Sequence, residues 1–469
     1  MSERLLSGRG VLWWDQLSPE LRAPLGETLT QDISVDIAIV GAGYTGLWTA
    51  YYLQRALPGA RIAIIEANCA GYGASGRNGG WASALFPQDH EALIRTYGLQ
   101  AAQRMAAAMN DSVDEIGRVA REHAWDIDWA KGGTVVAARN QAQLAAFHAR
   151  DDHLRSLGFA PDEQLLGARE TAAIIGATRV VGGMRTPHCA AIQPAKLVRA
   201  LAQHVVQCGA DLYEGTPARS IEPGVVRTDR ANVRARYVIR ATEGYTAQIE
   251  GLRRRLLPFY SSMVATEPLP AQVWDTIGLT DRPTFADGRR LVIYGQRTAD
   301  DRLAFGGRGA PYSFGSRIAP SIDNATSNAT SNATIYRRLQ ETLTDLFPIL
   351  QGYRFTHAWS GTLGIARDWW ACVDLDPVTG LGWAGGYVGD GVGTSNLAGR
   401  TLAALIAGND DDITHLPWVG RESRSWEFEP LRWLATTAAL RATEVADRRE
   451  ARTGRPSLPG RIVDALTGH

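Results

Sequence analysis

The sequence predicts an α/β fold: a parallel sheet built on a strand–helix–strand unit, interrupted by an α+β domain of mixed or antiparallel sheet. Three observations predict it. The apolar run Val35–Val40 leads directly into Gly41, Gly43 and Gly46 in G-x-G-x-x-G spacing. An acid, Glu66, ends the next apolar run, twenty residues past Gly46. The pattern of apolar strand, glycine-rich turn and helix returns at 381–407, after long intervening stretches with strand and helix character of their own.

Each element has a local reason. A short, wholly apolar run suits a strand covered on both faces. Gly41 permits the tight turn, Gly43 lets a pyrophosphate approach the backbone, and Gly46 lets the following helix pack close to the sheet. That helix, expected over Thr45–Ala56, turns its unpaired N–H groups and positive dipole end toward phosphate. Arg61–Ile65 is the second strand, and Glu66 at its end is placed to accept ribose hydroxyls. Gly71–Gly80, GYGASGRNGG, reads as backbone threaded past a large planar ligand.

GAGYTG at 41–46, the Glu66 strand end and GASGRNGG at 73–80 together resemble the FAD-dependent D-amino acid oxidase-like superfamily, in its glycine/sarcosine oxidase and gamma-glutamylputrescine oxidoreductase branch. The resemblance implies a Rossmann-like FAD-binding domain of the GR2 flavoprotein type. It places cofactor contacts at Gly41, Gly43, Tyr44, Thr45, Gly46 and Glu66, and in the second loop at Ala74, Ser75, Arg77, Asn78, Gly79 and Gly80. Ala218 occupies the position that meets adenine through its backbone. Ala241 and Thr242 open an A-T-x-x-Y contact. Gly389, Gly391, Val392, Gly393 and Thr394 form the last glycine turn, and the helix expected after it, Ser395–Ala407, points its N-terminus at the flavin N1–C2=O edge. Asp390 is a candidate partner of the ribityl chain.

Composition bounds the alternatives. With 469 residues, 45% hydrophobic and 21% charged, the chain is of ordinary globular type. A formal net charge of zero implies no general attraction to nucleic acid or anionic lipid. Of the 49 basic residues only Lys131 and Lys196 are lysines. Cys69, Cys189, Cys208 and Cys372 form no metal-ligand spacing and read as reduced thiols, so no metal and a cytoplasmic location are expected. No signal-like opening and no membrane-length apolar run is present.

Residues 1–90, 186–250 and 366–410 are read as the FAD-binding domain, 91–185 and 251–365 as the substrate-binding domain, and 411–469 as a charged helical tail. Val11–Trp14 is expected to pack across the main domain. One helix is expected over Glu91–Arg121 and another over Ala142–Leu157, with short strands at Asp126–Trp129 and Thr134–Ala138. NATSNATSNAT at 324–334 has no apolar face and reads as a solvated loop, followed by a helix over Ile335–Leu346. Where relatives carry a T-x-D-x-x-P-like segment, this chain has Ile365–Trp370, with two tryptophans in that room.

The resemblance implies oxidation of a C–N bond in a small amine or amino acid, by hydride transfer to flavin N5 and hydrolysis of the imine. Arg308, Tyr260, Tyr294, His357 and Trp359 are the substrate-side candidates: an arginine can clamp a carboxylate and aromatic rings can cage an ammonium. His188 is read as structural. FAD is expected to be non-covalent, because Arg77 and Asn78 stand where relatives carry an attachment histidine and Cys372 is out of register with the cysteine others use. The electron acceptor is oxygen or another partner. The rival readings are a flavin-dependent dehydrogenase or hydroxylase and, more remotely, a tRNA-modifying flavoprotein, which would need a basic face.

Overall fold

The structure, a computed structural model, describes residues 10–310, 312–318 and 330–453. Two eight-stranded sheets organise these residues. In the first, the order is Cys372–Leu375, Leu381–Gly385, Asn232–Arg240, Ile33–Val40, Ile62–Ile65 and Asp211–Tyr213, and a hairpin of Ala218–Glu222 and Val225–Thr228 joins Asn232–Arg240. The five strands from Leu381–Gly385 to Asp211–Tyr213 are parallel, and Cys372–Leu375 is an antiparallel edge. Alternation along Ile33–Val40 explains how one strand serves two cores. Ile37 and Ile39 pack with the helices, while Ala38 and Val40 pack with the hairpin side. The helices Tyr44–Ala56 and Gly391–Ala407 cross closely; a Cβ on Gly399 would lie 2.6 Å from Cβ of Trp48.

The second sheet runs Phe355–Ile365, Leu257–Thr266, Leu303–Ala310, Ile293–Arg297, Thr284–Asp287, Thr134–Ala138, Gly182–Thr186 and Gln164–Gly167. Its neighbours are antiparallel except Thr284–Asp287 with Thr134–Ala138. One face carries an apolar core with Leu339 and Leu343 of the helix Thr330–Leu346 and Val273 and Trp274 of Ala271–Ile277. The other face meets the glycine loop. Trp13 and Trp14, in the short helix Leu12–Asp15, are buried there with Cys69, Met263 and Trp359. A two-stranded ribbon, Trp81–Ser83 with Cys189–Ala191, lies beside the loop.

Several elements differ from expectation for identifiable reasons. The helix expected over Glu91–Arg121 is two helices, His90–Tyr97 and Leu99–Glu122, because Gly98 at φ +84° takes a conformation no helix contains. Asp126–Trp129 forms no strand. The last glycine turn is shorter than expected: Gly391–Thr394 already form the first turn of Gly391–Ala407. Residues 324–329 of the threonine–asparagine repeat lie outside the described residues, but Thr330–Thr334 open a helix rather than a loop. At the far end, residues 454–469 lie outside the described residues. The helix Leu431–Thr453 docks on the connection between the strands Thr284–Asp287 and Ile293–Arg297, where Asp447 accepts from the backbone N–H groups of Arg290 and Leu291 at 2.9 and 2.8 Å. No helix among the described residues is long and apolar enough to cross a membrane.

Candidate active site

The turn after the first strand leaves no room for side chains. Gly41 has φ +109°, and a Cβ there would lie 2.5 Å from the Ala241 carbonyl oxygen; one on Gly46 would lie 2.0 Å from that of Gly41. Gly43 is the N-cap of Tyr44–Ala56 and provides no side-chain cap. Glu66 accepts from Ala42 N at 2.9 Å and Asn68 N at 2.8 Å, and burial pushes its carboxyl up to about 6. A cavity of about 200 Å³ runs from this turn and Glu66, past Ala218 and Thr242, to Gly389 and Gly391 at the start of the second helix. Two helix N-termini whose own N-cap residues, Gly43 and Asp390, supply no side-chain cap open on one cavity, an arrangement suited to an anionic dinucleotide, and the Tyr44 N–H of the first donates to the Ser75 hydroxyl at 2.9 Å.

The second glycine loop is fastened from every side. The Asn78 amide donates to the carbonyls of Ala74 and Ser75 and accepts from Gly80 N at 2.8 Å. Indole N–H groups of Trp13 and Trp359 donate to the carbonyls of Asn78 and Arg77, each at 2.8 Å. The Arg77 guanidinium donates to the Tyr72 carbonyl and lies over the Tyr72 ring. The buried Gln296 amide donates to the carbonyls of Gly79, Gly80 and Ile192.

A second cavity of about 700 Å³ adjoins the first, and Ala74, Asn78, Leu363, Gly389 and Val392 line both. Its inner end carries Arg308, Tyr294, Ser261, Trp81 and Asp390. The Arg308 guanidinium donates to the Val388 carbonyl at 2.6 Å. Tyr294 and Ser261 share a hydroxyl hydrogen bond of 2.6 Å, and the Tyr294 ring meets Trp81 edge-on at 6.0 Å. The outer end holds the Arg150–Glu163 ion pair at 2.7 Å, a His188–Asp162 hydrogen bond at 2.6 Å, and His90 stacked on Phe159.

The family model for FAD dependent oxidoreductases, DAO, matches residues 36–405. The chain belongs to this family. A gamma-glutamylputrescine oxidoreductase of Escherichia coli is 29% identical over 406 residues, covering 84% of this chain and 90% of that one. Among solved structures, glycine oxidase from Geobacillus kaustophilus superposes with a TM-score of 0.68 at 20% identity, over 84% of this chain and all of the other. L-proline dehydrogenase from P. horikoshii superposes at 0.64 with 18% identity, over 84% of this chain and 96% of the other.

In this FAD-dependent oxidoreductase the expected cofactor positions fall into three groups. Gly41, Gly43, Tyr44, Thr45, Glu66, Ala74, Ser75, Asn78, Ala218, Ala241, Thr242, Gly389, Gly391 and Val392 line the smaller cavity. Arg77 and Gly79 line the larger one. Gly46, Gly80, Gly393 and Thr394 line neither and shape the backbone instead. A Cβ on Gly393 would lie 2.3 Å from the Ser83 carbonyl oxygen, and the Thr394 hydroxyl donates to the Asp390 carbonyl at 2.6 Å.

Of the substrate-side candidates, the oxidoreductase brings Arg308 and Tyr294 together and leaves three elsewhere. Tyr260 is buried and donates to the Arg317 carbonyl; strand alternation turns its neighbour Ser261 into the cavity instead. Trp359 is fully buried behind the glycine loop, edge-on to Trp13. His357 lies 3.5 Å from the Asp15 carboxylate, away from both cavities. His188, expected to be structural, lines the outer end, and Asp390 lines the larger cavity rather than the smaller. Trp369 and Trp370 do not line either cavity; Trp370 packs edge-on to Tyr97 under the Arg421 guanidinium.

Sequence reasoning missed Glu243. It sits at φ +39° inside the A-T-x-x-Y segment, lines the smaller cavity and accepts from the backbone N–H groups of Gly386 and Tyr387 at 3.0 and 3.2 Å. Burial pushes its carboxyl up to about 7. Tyr387, also missed, shares a hydroxyl hydrogen bond of 2.9 Å with Thr45, tying the two helix N-termini together.

Proposed function

We propose that this oxidoreductase oxidises a C–N bond of a small amine or amino acid, with FAD held non-covalently across the smaller cavity and the inner end of the larger one. The carrying observation is the junction itself: the dinucleotide cavity opens into the larger one where Arg308 and Tyr294 stand. FAD supplies the two-electron acceptor when bound. Glu66 would hold the adenosine ribose, the Gly41–Thr45 turn the pyrophosphate, and the backbone at Gly391–Val392 the flavin ring edge. Arg308, already tethered to Val388, keeps donors for a substrate carboxylate. Tyr294 and Trp81 would bound the substrate with aromatic surface and exclude water from the reacting carbon.

The names of the similar proteins support the substrate class: gamma-glutamylputrescine, glycine and proline all carry an amine nitrogen beside an oxidisable carbon. Non-covalent attachment is supported by the lining of both cavities: among the described residues no cysteine lines either, and the histidines, His90 and His188, stand at the outer end of the larger one. Cys372, lining neither cavity, is held as a thiol at about 11 by burial. Neither lysine is at hand to promote oxygen reduction: Lys131 pairs with Asp114, and Lys196 with Asp126 and Asp128. The test is anaerobic bleaching of the flavin band near about 450 nm by a panel of amines and amino acids. Bleaching by one of them supports the reading, and recolouring in air separates an oxidase from a dehydrogenase. Bleaching by NAD(P)H alone would replace it with the hydroxylase reading.

A further inference from the structure

We infer that Asp390 binds the ammonium group of the substrate and takes its proton. This rests on the amine reading above. Asp390 is the N-cap of Gly391–Ala407, yet its carboxylate accepts no capping hydrogen bond, unlike Asp89, whose carboxylate caps its helix at Ala92 N. It lines the larger cavity instead, at the end shared with Arg308 and Tyr294. Four acids are among the described residues lining that cavity. Asp89 is engaged in its cap, Asp162 with His188 and Glu163 with Arg150, which leaves Asp390.

Arg308 does not neutralise it by contact. Its guanidinium bonds the Val388 carbonyl, and the two side chains make no ion pair within 4.0 Å. An unjoined carboxylate and guanidinium at one end of a cavity match the two charges of an amino acid head group. In the bound complex an N–H bond of the ammonium breaks and an O–H bond forms on the Asp390 carboxylate. The nitrogen is left with the lone pair that C–N oxidation needs, and no other reactant is consumed. Burial pushes the Asp390 carboxyl up to about 6 while Arg308 pulls it down, which makes it a better base than an ordinary aspartate. The charged and titratable groups facing it are Arg308 from Leu303–Ala310 and Tyr294 from Ile293–Arg297.

The probe is tert-butylammonium, which has no hydrogen on the carbon bearing nitrogen and cannot be oxidised. Its binding to the flavin-loaded protein is read by calorimetry and by perturbation of the flavin spectrum, with acetate as the anionic control. Wild-type affinity is expected to rise about tenfold between about pH 5 and pH 7, as Asp390 ionises. Asp390→Asn is expected to weaken binding at least about tenfold at pH 7 and abolish that rise, with acetate binding undiminished and flavin content retained. Unchanged tert-butylammonium binding in Asp390→Asn overturns the inference. If that variant does not fold, the wild-type profile decides, and a flat profile overturns it. The assay needs no turnover, so it separates failure of this assignment from failure of the amine reading, which the bleaching panel tests.

Discussion

Arg308 and Glu243 illustrate how single side chains set the chemistry and the stability of the two cavities. Arg308 reaches the junction with one donor already fixed on Val388. Arg308→Met is expected to lower kcat/KM for carboxylate-bearing substrates by about 100-fold, mostly through KM, because it removes one partner of a desolvated charge pair. Simple amines, lacking that carboxylate, are expected to change far less. Glu243 is ionised near 4.5 in an unfolded chain and near about 7 in the fold. A raised carboxyl contributes stability below the unfolded value, and that contribution is lost as pH rises through the folded one. Glu243→Gln is therefore expected to flatten the fall in melting temperature between about pH 5 and pH 7 that this residue causes, measured against the parent in apo form. Arg308 was readable as a candidate because it follows two glycines at a strand end. Glu243 was not, since its environment comes from Gly386 and Tyr387, more than a hundred residues away.

The glycine loop is the element on which both cavities depend, and its fastening comes from outside itself. Gln296 holds Gly79 and Gly80 from the second sheet, and Gly80 has φ +70° with the Gln296 amide against its α-carbon. Gln296→Leu leaves buried carbonyls without donors and is expected to cost about 1–3 kcal/mol of stability, with a matching loss of retained flavin in urea titration. Centrifugal filtration after denaturation is expected to release all flavin from the wild type, as non-covalent binding requires. The loop was legible in sequence through its glycines, and so was the helix after Gly43. The break at Gly98 was missed because apolar spacing continued through it, from Leu93 to Leu99 and Met105. That Tyr260 turns away from the cavity while Ser261 lines it has a different cause. A strand assignment without its register cannot tell which of two neighbours faces a cavity.

At the level of the whole molecule, the two sheets are joined through a small aromatic core. Trp13, near the start of the chain, donates to the loop at Asn78, meets Trp359 of the second sheet at 5.8 Å, and is 1% exposed. Trp13→Ala is expected to destabilise the protein by about 3–5 kcal/mol and to lower flavin retention in the same transition, read by urea unfolding followed at both protein and flavin wavelengths. Separate transitions would show that this contact does not couple the sheets. The overall alternation of parallel and inserted sheets was visible from the returning strand–turn–helix patterns. The joining core was not, because four apolar residues in a row name no partner.

The pairing of Lys131 and Lys196 with aspartates has a chemical consequence beyond oxygen reduction. Oxidation of an amine followed by hydrolysis releases an aldehyde or keto compound, and such carbonyls condense with unprotonated amines to form Schiff bases. Here the side-chain amines number two, and the aspartates beside Lys196 raise its affinity for a proton. The mouth of the larger cavity carries guanidinium groups instead, Arg150 and Arg185, which react poorly with simple aldehydes. Under the proposed amine oxidation, a protein built this way would offer its carbonyl product few lysine amines, and turnover would inflict little adduct formation on the catalyst itself.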